Sequence, residues 1–515
     1  MNKLLSILLA SSLLLFAGCT DLEEELNSAL TKEDAVAQDI LNACSALSAA
    51  YDVLRPFQSQ AGTWSLQAHS SDEIAGPTRG TDWFDGGAWQ AMHTHSWTAS
   101  HAHVGQAWND ILGGLFQATS ALEFNPSPEE RAQALYFQAY YTYLAVDLFG
   151  KVPFREPGED LTQAPAVLSR TEAIEKVIAL AEEALTNLPD LRYVNTSGCQ
   201  YTNKNACRAL LSKAYLNRAV FAATDANGGA QAGPYTFSQS DMSKVVQYTD
   251  QIINSGTYSL ETNYFDNFAP DNTTESSELI WGYLNTNASA GDIHTRWFMT
   301  LHYNQVPSGW NGFVTLADFY NSFEDQDVRK EAEIPSIQAG GGGYNAGFLA
   351  GLQTDASGNP LKDRLGNDLD FSAGFSITNS NEIQGIRAIK YIPDFVNPAG
   401  PANNDYVVFR YADVLMMKAE ALLRSGNAAG ALTIVNQIRT LRGASALSSL
   451  DEEGLLAERG RELYWEGWRR NDQIRFNKFL QAWAEKPAGN ATKLLFPIPS
   501  LALATNPNLA QNPGY

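Results

Sequence analysis

The pattern that most constrains the fold is a pair of amphipathic helices near the C-terminal end of the chain. A run from Ala412 to Leu423 has apolar residues at helical spacing and ends at Gly426. A second run, with apolar positions from Ala431 to Leu441, follows Asn427 and ends at Gly443. Apolar residues three and four positions apart predict helices, and glycine is common just beyond a helix end. Together the runs span roughly 34 residues, the length of a tetratricopeptide-like helical hairpin.

Two more helical pairs are predicted nearer the N-terminus. Their helices cover residues 128–150, 170–189, 205–223 and 240–255. Proline and acidic residues at the first of these helices, with glycine and proline after it, are typical start and stop signals. Three stacked hairpins would form a curved scaffold. The sequence therefore predicts a mainly α fold whose scaffold covers about 102–255 and 411–484.

The segments between these helical regions differ from them in amino-acid composition. Residues 56–101 and 257–405 are rich in Asn, Gly, Asp and aromatic residues, with short extended pieces such as Glu278 to Tyr283. A glycine run lies at Ala339 to Gly343, and residues 355–370 are full of turn-forming residues. Loops held by a rigid scaffold commonly carry binding groups. We therefore expect the ligand-binding face to be built from these loops.

The N-terminus has the features of an export signal. A basic start and an apolar run from Leu4 to Phe16 precede Ala17-Gly18-Cys19. This run is too short to span a bilayer, and small residues before a cysteine are typical of a bacterial lipoprotein. We expect a signal peptide at residues 1–18, lipidation of Cys19 and a flexible tether at 19–30. The remainder, 31–515, is expected to form a single domain.

Charge and cysteine content narrow the function classes. The net charge of −22 argues against binding to nucleic acid or to anionic lipid, since both require an excess of Lys and Arg. Besides Cys19, the chain has Cys44, Cys199 and Cys207. The spacing of Cys199 and Cys207 allows a small disulfide loop in an oxidising compartment, but equally allows two free thiols. None of the three has the CxxC spacing of a metal or redox site.

Several segments resemble motifs of the SusD/RagB family of lipoproteins. They are FRYADVL (409–415) with AEA (419–421), ERGREL (458–463) with EGWR (466–469), FPIP (496–499) with NPNLAQNPGY (506–515), and the stretch 136–153 ending in FGKVP. The acidic residues that follow Cys19 resemble the signal that directs lipoproteins to the cell surface in the Bacteroidota. The matches occur in the family's order and cover nearly the whole chain.

The resemblance implies both a fold and a role. The fold would be a SusD-like helical scaffold with tetratricopeptide-like hairpins and a loop-rich ligand face. The protein would be anchored in the outer membrane by its lipid, facing the cell surface. It would capture oligosaccharides or polysaccharides and deliver them to a TonB-dependent transporter of the SusC-like kind, without catalysis and without a cofactor.

The charged residues of the 458–469 motif are interpreted as structural. Opposite charges at spacings of three and four residues predict ion pairs along one helix. The residues concerned are Arg459, Glu462, Glu466 and Arg469.

Binding of sugars requires flat aromatic faces beside planar polar groups. Trp83 lies among glycines and aspartates, and Trp310 lies between Gly309 and Gly312, so both are expected on exposed loops rather than in the core. The complete set of predicted ligand-binding residues is Trp83, Trp310, Trp297, Asp72, Asp82, Arg387 and Tyr391.

Other chemistries are weighed against this interpretation. Five histidines between His69 and His103 include two HxH pairs, which can point both rings to one side as in a zinc site, but ordinary hydrogen-bonded histidines are favoured. Asp355 begins a segment like a calcium loop, yet Pro360 replaces the glycine that such a loop requires. Two other functions remain open: peptide or protein binding by the helical hairpins, and an exported glycoside hydrolase with paired carboxylates.

Overall fold

The structure is a computed structural model that describes residues 41–286 and 291–515. Residues 43–515 form one compact unit. The predicted signal peptide, the lipidated Cys19 and the tether at 19–30 lie outside the described residues.

Helices dominate this part of the chain, and short strands lie between them. The described α-helices are α1 (Ala43–Asp52), α2 (Gly62–Ala68), α3 (Ala88–Thr94), α4 (Ala102–Ala121), α5 (Pro128–Phe149), α6 (Arg170–Ala184), α7 (Lys204–Ala222), α8 (Gln239–Asn254), α9 (Asn272–Glu275), α10 (Thr295–Phe298), α11 (Ala317–Asn321), α12 (Pro335–Ala339), α13 (Tyr411–Arg424), α14 (Ala428–Leu441), α15 (Glu452–Leu463), α16 (Arg469–Arg475) and α17 (Ser500–Thr505). The strands are β1 (Val152–Phe154), β2 (Ala166–Leu168), β3 (Leu279–Tyr283), β4 (Glu331–Ala332), β5 (Ala346–Leu349), β6 (Gly351–Leu352), β7 (Asp370–Phe371), β8 (Arg387–Ile389) and β9 (Tyr406–Arg410).

Local capping signals set the ends of the long helices. At the start of α5, Ser127 accepts a hydrogen bond from the backbone N–H of Glu130, whose carboxylate accepts one from the N–H of Ser127. This reciprocal capping satisfies donors that the first helical turn leaves unpaired. Gly150 ends α5 with a φ of 70°, which a residue with a side chain adopts only at a cost. Ser169 and Glu172 cap α6 in the same way. The predicted boundaries of α5 and the predicted start of α6 are confirmed, whereas α6 ends at Ala184, before the predicted end at 189.

The predicted hairpins stack in one continuous series. Consecutive helices pack in the order α4, α5, α6, α7 and α8. The hairpin of α13 and α14 then packs on α8, although more than 150 residues separate it from α8 in the chain. Helix α5 is buried on nearly all sides from Ala132 to Phe149, so it is the centre of the scaffold rather than an amphipathic surface helix. The predicted scaffold of three stacked hairpins is confirmed.

Short antiparallel sheets support the loop-rich segments. Strand β3 pairs with β9, with Leu279 opposite Arg410, and joins the loops to the start of α13. Strands β4, β5 and β8 form a three-stranded sheet, and β6 pairs with β7 at the base of a loop that covers residues 353–369. These sheets fix where the loops leave the scaffold.

The prediction that Arg459, Glu462, Glu466 and Arg469 pair with one another along one helix is wrong. Helix α15 ends at Leu463, and Glu462 on its last turn accepts hydrogen bonds from three arginines outside the helix, two of which, Arg410 and Arg442, share its Oε1. The distances are 2.8 Å from Arg410 Nη1 and 3.0 Å from Arg442 Nη2, both to Glu462 Oε1. All three side chains are fully buried. A buried charge is stable only when an opposite charge replaces its water, and the fold supplies that charge from other elements.

The neighbouring residues of the motif behave in the same way. The partners of Arg459 are Asp413 and Asp472, at 3.1 and 2.8 Å. The other ion pairs join Glu466 to Lys390 and Arg410, and Arg469 to Asp72. The charged residues of the motif therefore form tertiary ion pairs. These pairs join α15 and α16 to α13 and to the loop-rich segments.

The disulfide differs from the one that the cysteine spacing suggested. Cys44 on α1 is bonded to Cys199, with 155 residues between them and a Cα–Cα distance of 5.7 Å. Cys207 is a buried free thiol on α7 that donates a hydrogen bond to the carbonyl oxygen of Ala181. The packing of the scaffold brings α1 to the loop that precedes α7. None of the described helices is long and apolar enough to cross a membrane.

Candidate functional site

Two of the loop tryptophans predicted from the sequence meet on one surface. The indole Nε1–H of Trp83 donates a hydrogen bond of 2.8 Å to the carbonyl oxygen of Trp310. A tight turn, closed by paired backbone hydrogen bonds between Arg79 and Asp82, comes just before Trp83. Trp83 itself has a φ of 63°, which turns the chain so that its ring faces the second loop. The aromatic concentrations at 79–89 and 297–312 thus form a single surface, called here the aromatic face.

The aromatic face is supported from below. The half-buried ring of Trp83 lies against the backbone of Gly312 and near Phe313, with ring centroids 5.2 Å apart. The loop that carries Trp310 is fixed by backbone hydrogen bonds of 2.7 to 2.8 Å from Trp310, Asn311 and Gly312 to the turn at 298–301. Such a platform holds an aromatic ring in place before a ligand arrives.

Two aromatic side chains remain open to solvent. Trp310 is 50% exposed and packs edge-on against Phe298, while Phe84 is 54% exposed. Large apolar side chains are seldom left this exposed without a partner, although single ones are not unusual. Trp310 lies beside the Trp83 support, and Phe84 follows Trp83 directly in the chain, so the face offers flat apolar surface to a ligand.

Polar groups lie beside the rings in one connected set. The Tyr303 hydroxyl donates to Asp82 Oδ2 at 3.2 Å, and Arg364 Nη2 donates to the same oxygen at 2.8 Å. Arg364 also binds Glu382 through its Nε and, at 2.9 Å, through its backbone N–H. The Arg364 guanidinium lies over the Tyr303 ring, 4.3 Å from its centroid.

This polar set has a defined electrostatic state. Partial burial would raise the pKa of Glu382, but hydrogen bonds from Arg364 and His302 lower it instead. Glu382 is therefore ionised at neutral pH. The hydrogen bonds to Glu382 and Asp82 likewise raise the pKa of Arg364. The face presents carboxylate oxygens, a guanidinium and a phenol beside flat rings.

Two buried arginines hold the segment that carries Glu382. Arg387 Nη2 donates to the carbonyl oxygen of Glu382 and to Asn311 Oδ1, both at 2.6 Å. Arg79 Nη2 donates to the carbonyl oxygen of Gln384 at 3.0 Å. Both guanidiniums use backbone carbonyls rather than carboxylates, and burial lowers their pKa values. They fix the shape of the loop from below and do not reach solvent.

The seven predicted site residues divide by location. Trp83, Trp310 and Asp82 lie together on the aromatic face. Asp72 lies elsewhere and makes a two-pronged ion pair with Arg469, at 2.7 and 2.8 Å. The remaining three predicted residues, Trp297, Arg387 and Tyr391, are buried.

Burial gives those three residues internal partners. Trp297 Nε1 donates to the carbonyl oxygen of Pro398 at 2.9 Å, and the Tyr391 hydroxyl accepts from the backbone N–H of Val407 at 3.0 Å. A side chain with no exposed surface cannot contact a dissolved ligand directly. We therefore leave Trp297, Arg387, Tyr391 and the ion-paired Asp72 out of the surface proposed to bind ligand.

The sequence did not point to the other members of the site. Tyr303 lies between the predicted Trp297 and Trp310, while no motif in the sequence marks Arg364 or Glu382. Arg364 sits on the loop between β6 and β7, in the second of two Asp-x-x-Gly-Asn turns that begin at Asp355 and Asp363. The turn-forming residues of 355–370 predict a loop, but nothing local indicates that this loop reaches Asp82.

Four of the five histidines between His69 and His103 are hydrogen-bonded as expected, whereas neither ring nitrogen of the buried His69 has a hydrogen-bond partner among the described residues. His93 and His95 contact the carbonyl oxygens of Ala484 and Ser70, each at 2.8 Å, and burial lowers the pKa of both rings. Among residues 41–286 and 291–515, no three His, Cys, Asp or Glu side chains are placed to hold a metal ion. Asp355 uses Oδ1 to accept the N–H groups of its own turn, as the turn interpretation predicts.

Comparisons with known proteins agree with this architecture. The sequence profile of the SusD family matches residues 385–493. The starch-binding protein SusD of Bacteroides thetaiotaomicron is 26% identical over 432 residues, which cover 75% of this chain and 73% of that protein.

Solved structures show the same fold. A laminarin-binding SusD-like protein superposes with a TM-score of 0.68 at 20% identity and covers 92% of this chain and 99% of its own. Surface glycan-binding protein A from Bacteroides fluxus has a TM-score of 0.66 at 19% identity, with coverage of 92% and 99%. The class of protein that this fold defines is a scaffold of helical repeats that carries a face built from loops. Residues 385–493 match the SusD family, and the chain as a whole is similar in sequence and fold to proteins of the SusD/RagB family.

Proposed function

We propose that this protein is a surface-exposed lipoprotein that binds oligosaccharides or polysaccharides at the aromatic face and delivers them to a partner TonB-dependent outer-membrane transporter of the SusC-like kind, without catalysis. The single observation that carries the proposal is the joining of the Trp83 and Trp310 loops beside the Asp82, Arg364 and Glu382 charges.

The chemistry of sugars suits such a surface. A pyranose ring has one or two flat faces of C–H groups, which pack on an exposed indole such as Trp310. Its hydroxyl groups donate to ionised carboxylates, and hydrogen bonds to a charged acceptor are stronger than neutral ones. Binding sites of this kind combine aromatic walls with a few fixed polar groups.

Relatives support a carbohydrate ligand. The names of the proteins reported above are a starch-binding protein, a laminarin-binding protein and a surface glycan-binding protein. They bind different glycans on one fold, so the fold alone does not name the glycan for this chain.

The state of the carboxylates supports capture rather than hydrolysis. A glycosidase needs one carboxylic acid that keeps its proton near neutral pH, in a site where burial raises its pKa. On the aromatic face, Glu382 has a lowered pKa and is held by Arg364 and His302. This arrangement suits a hydrogen-bond acceptor.

Retention in native gels containing glycans tests the proposal. The panel contains starch, laminarin, mannan, xylan, levan and host mucin glycans, and the incubation mixtures are analysed for released sugars. We expect at least one glycan to retard the protein, with no new reducing ends. Retardation with release of sugar would contradict the non-catalytic role, and no retardation by any glycan would contradict glycan capture.

A pair of variants locates the site. Trp310→Ala removes a ring that is 50% exposed, and we expect at least a tenfold loss of affinity for the retained glycan. The matched control is Phe116→Ala, since Phe116 is 45% exposed but lies on α4 beside Leu161. Equal losses in both variants would place binding elsewhere. Co-purification of the transporter with the membrane-anchored protein tests the partner.

A further inference from the structure

The charges on the aromatic face are already paired with one another. Arg364 directs Nη2 to Asp82 Oδ2 at 2.8 Å and Nε to Glu382 Oε1, and it stacks one face on the Tyr303 ring. Glu382 also contacts His302 Nε2 at 3.1 Å. The guanidinium therefore has two of its donor groups and one of its faces engaged. The set of Asp82, Arg364 and Glu382 is called here the charge triad.

Few other cations lie in the segments that build the face. The described segments 79–89, 297–312 and 355–387 contain Lys or Arg only at Arg79, Lys362, Arg364 and Arg387. Arg79 and Arg387 are buried and donate to backbone carbonyls. Lys362 is paired with Asp368. Within these segments, each cation is thus either buried beneath the face or held by a carboxylate.

Acidic groups are more accessible. The Asp82 side chain is 37% exposed, and its Oδ1 has no hydrogen-bond donor among the described residues. Asp85 is exposed on the same loop, where its Oδ2 accepts from Trp89 Nε1. The chain as a whole carries a net charge of −22, so the surrounding field is also negative.

We propose that the charge triad makes the aromatic face select neutral glycans and reject glycans that carry uronate groups. This proposal rests on the proposed glycan-binding function. A neutral sugar donates its hydroxyl protons to Asp82 and Glu382, which remain good acceptors. A uronate carboxylate offers no proton, lies close to two like charges and finds the one exposed guanidinium of the face already occupied.

In the wild-type protein, Asp82 and Glu382 neutralise the charge of Arg364 and occupy two of its donor groups. Replacing both carboxylates with their amides keeps the shape of each side chain and removes two negative charges. Arg364 then becomes the unmatched charge on the face, over the Tyr303 ring, and fits a carboxylate through two parallel hydrogen bonds. The same change weakens acceptance of neutral hydroxyls, because an amide oxygen is a weaker acceptor than a carboxylate.

The test compares neutral polysaccharides with their own C6-oxidised forms, which carry uronate on the same backbone. The probes are starch, laminarin, mannan and their C6-oxidised forms, measured by isothermal titration calorimetry at 50 mM salt. For any neutral probe that binds the wild-type protein, we expect the oxidised form to bind at least tenfold more weakly. In D82N/E382Q we expect the ratio of the two dissociation constants, oxidised form over neutral form, to fall below three. The discrimination should also weaken at 0.5 M salt, because exposed charges are screened.

A charge-matched control separates local from global effects. D325N/E331Q removes the same formal charge from exposed residues of the 325–331 segment and should leave the ratio unchanged. Thermal unfolding verifies that both double variants fold.

Because binding of the neutral probe is measured in the same experiment, failure of the proposed function can be distinguished from failure of the selectivity proposal. If no probe of either form binds, the proposed function fails and the selectivity with it. If an oxidised probe binds the wild type as tightly as its neutral parent, or if D82N/E382Q keeps the tenfold ratio, only the selectivity proposal is overturned.

Discussion

Trp83 and Trp310 are joined by a hydrogen bond from an indole nitrogen to a backbone carbonyl, 2.8 Å long, across 227 positions of sequence. The bond uses the only hydrogen-bonding group of the Trp83 side chain and leaves the Trp310 ring unconstrained by it. Trp83 therefore acts as the support, and Trp310 presents the exposed face. Four predictions follow from this contact and from the buried interactions elsewhere.

Replacing Gly312 with alanine should displace Trp83. A Cβ atom at Gly312 would lie 2.2 Å from Cζ2 of the Trp83 ring, which is far inside van der Waals contact. We expect the ring to move, the bond to Trp310 to break and glycan affinity to fall at least fivefold. The matched control is Gly113→Ala on α4, where a Cβ would meet no atom within 4 Å. Calorimetric titration and tryptophan fluorescence check both variants, and unchanged affinity in Gly312→Ala would show that the position of Trp83 is irrelevant to binding.

Arg442→Met should destabilise the fold strongly. Arg442 is fully buried and donates to Glu278 and Glu462, which would remain as buried charges with less compensation. Removing one partner of a buried ion pair costs about 3–5 kcal/mol. The exposed pair of Arg131 and Glu183, 2.6 Å apart, is the comparison, and Arg131→Met should cost at most about 1 kcal/mol. Urea unfolding measures both, and similar losses would contradict the structural importance of the buried network.

Loss of the disulfide between Cys44 and Cys199 should lower stability without unfolding the stack. A cross-link that closes a loop of 155 residues restricts the unfolded chain, and removing such a bond typically costs about 2–5 kcal/mol. The test is urea unfolding of C44S/C199S. Peptide mapping under non-reducing conditions should find this pair, with Cys207 unmodified by iodoacetamide until denaturant is added, because burial raises the pKa of its thiol. A bond between Cys199 and Cys207 would contradict the structure.

Glu73→Gln should stabilise the protein at alkaline pH more than at acidic pH. Burial raises the pKa of Glu73 to about 8, although the nearby Arg469 opposes the shift. Between about pH 4.5 and pH 8 the folded state keeps a proton that the unfolded chain releases, so Glu73 lowers the free energy of unfolding as pH rises. The variant should therefore match the wild type below pH 4.5 and exceed it by about 2–5 kcal/mol at pH 8. Urea unfolding at both pH values checks this, with Glu183→Gln as an exposed control, and a difference that does not change with pH would refute it.

Local signals were sufficient for the helical scaffold. The caps at Ser127 and Ser169 and the terminating Gly150 act within one turn, so their effect can be predicted from neighbouring residues. The apolar period of each helix also identified which helices would pair, since short connections favour contact between consecutive helices. The motifs between residues 409 and 515 indicated the resemblance to the SusD/RagB family from the identity of their residues alone.

Only part of the candidate site was accessible to the same reasoning. Glycines near Trp83 and Trp310 indicated loops; Trp310 is exposed as predicted, whereas Trp83 is half-buried and packs against the core. Trp297 was also predicted as a site residue, yet the short helix α10 directs it inward, where it bonds to Pro398. The exposure of an aromatic side chain depends on the residues that pack against it. For Trp297, one of these residues is Pro398, about 100 positions away in the sequence.

The sequence by itself determined the secondary structure of the scaffold and its order of stacking, because hydrogen bonds and caps within a helix involve residues a few positions apart. Tertiary structure decided the partners of Glu462, the pairing of Cys44 with Cys199 and the meeting of Arg364 with Asp82. Buried charges, disulfides and binding faces need an exact distance between groups that are far apart in the chain. Only the packed fold sets such distances, because they result from the sum of all the helix and loop contacts between them.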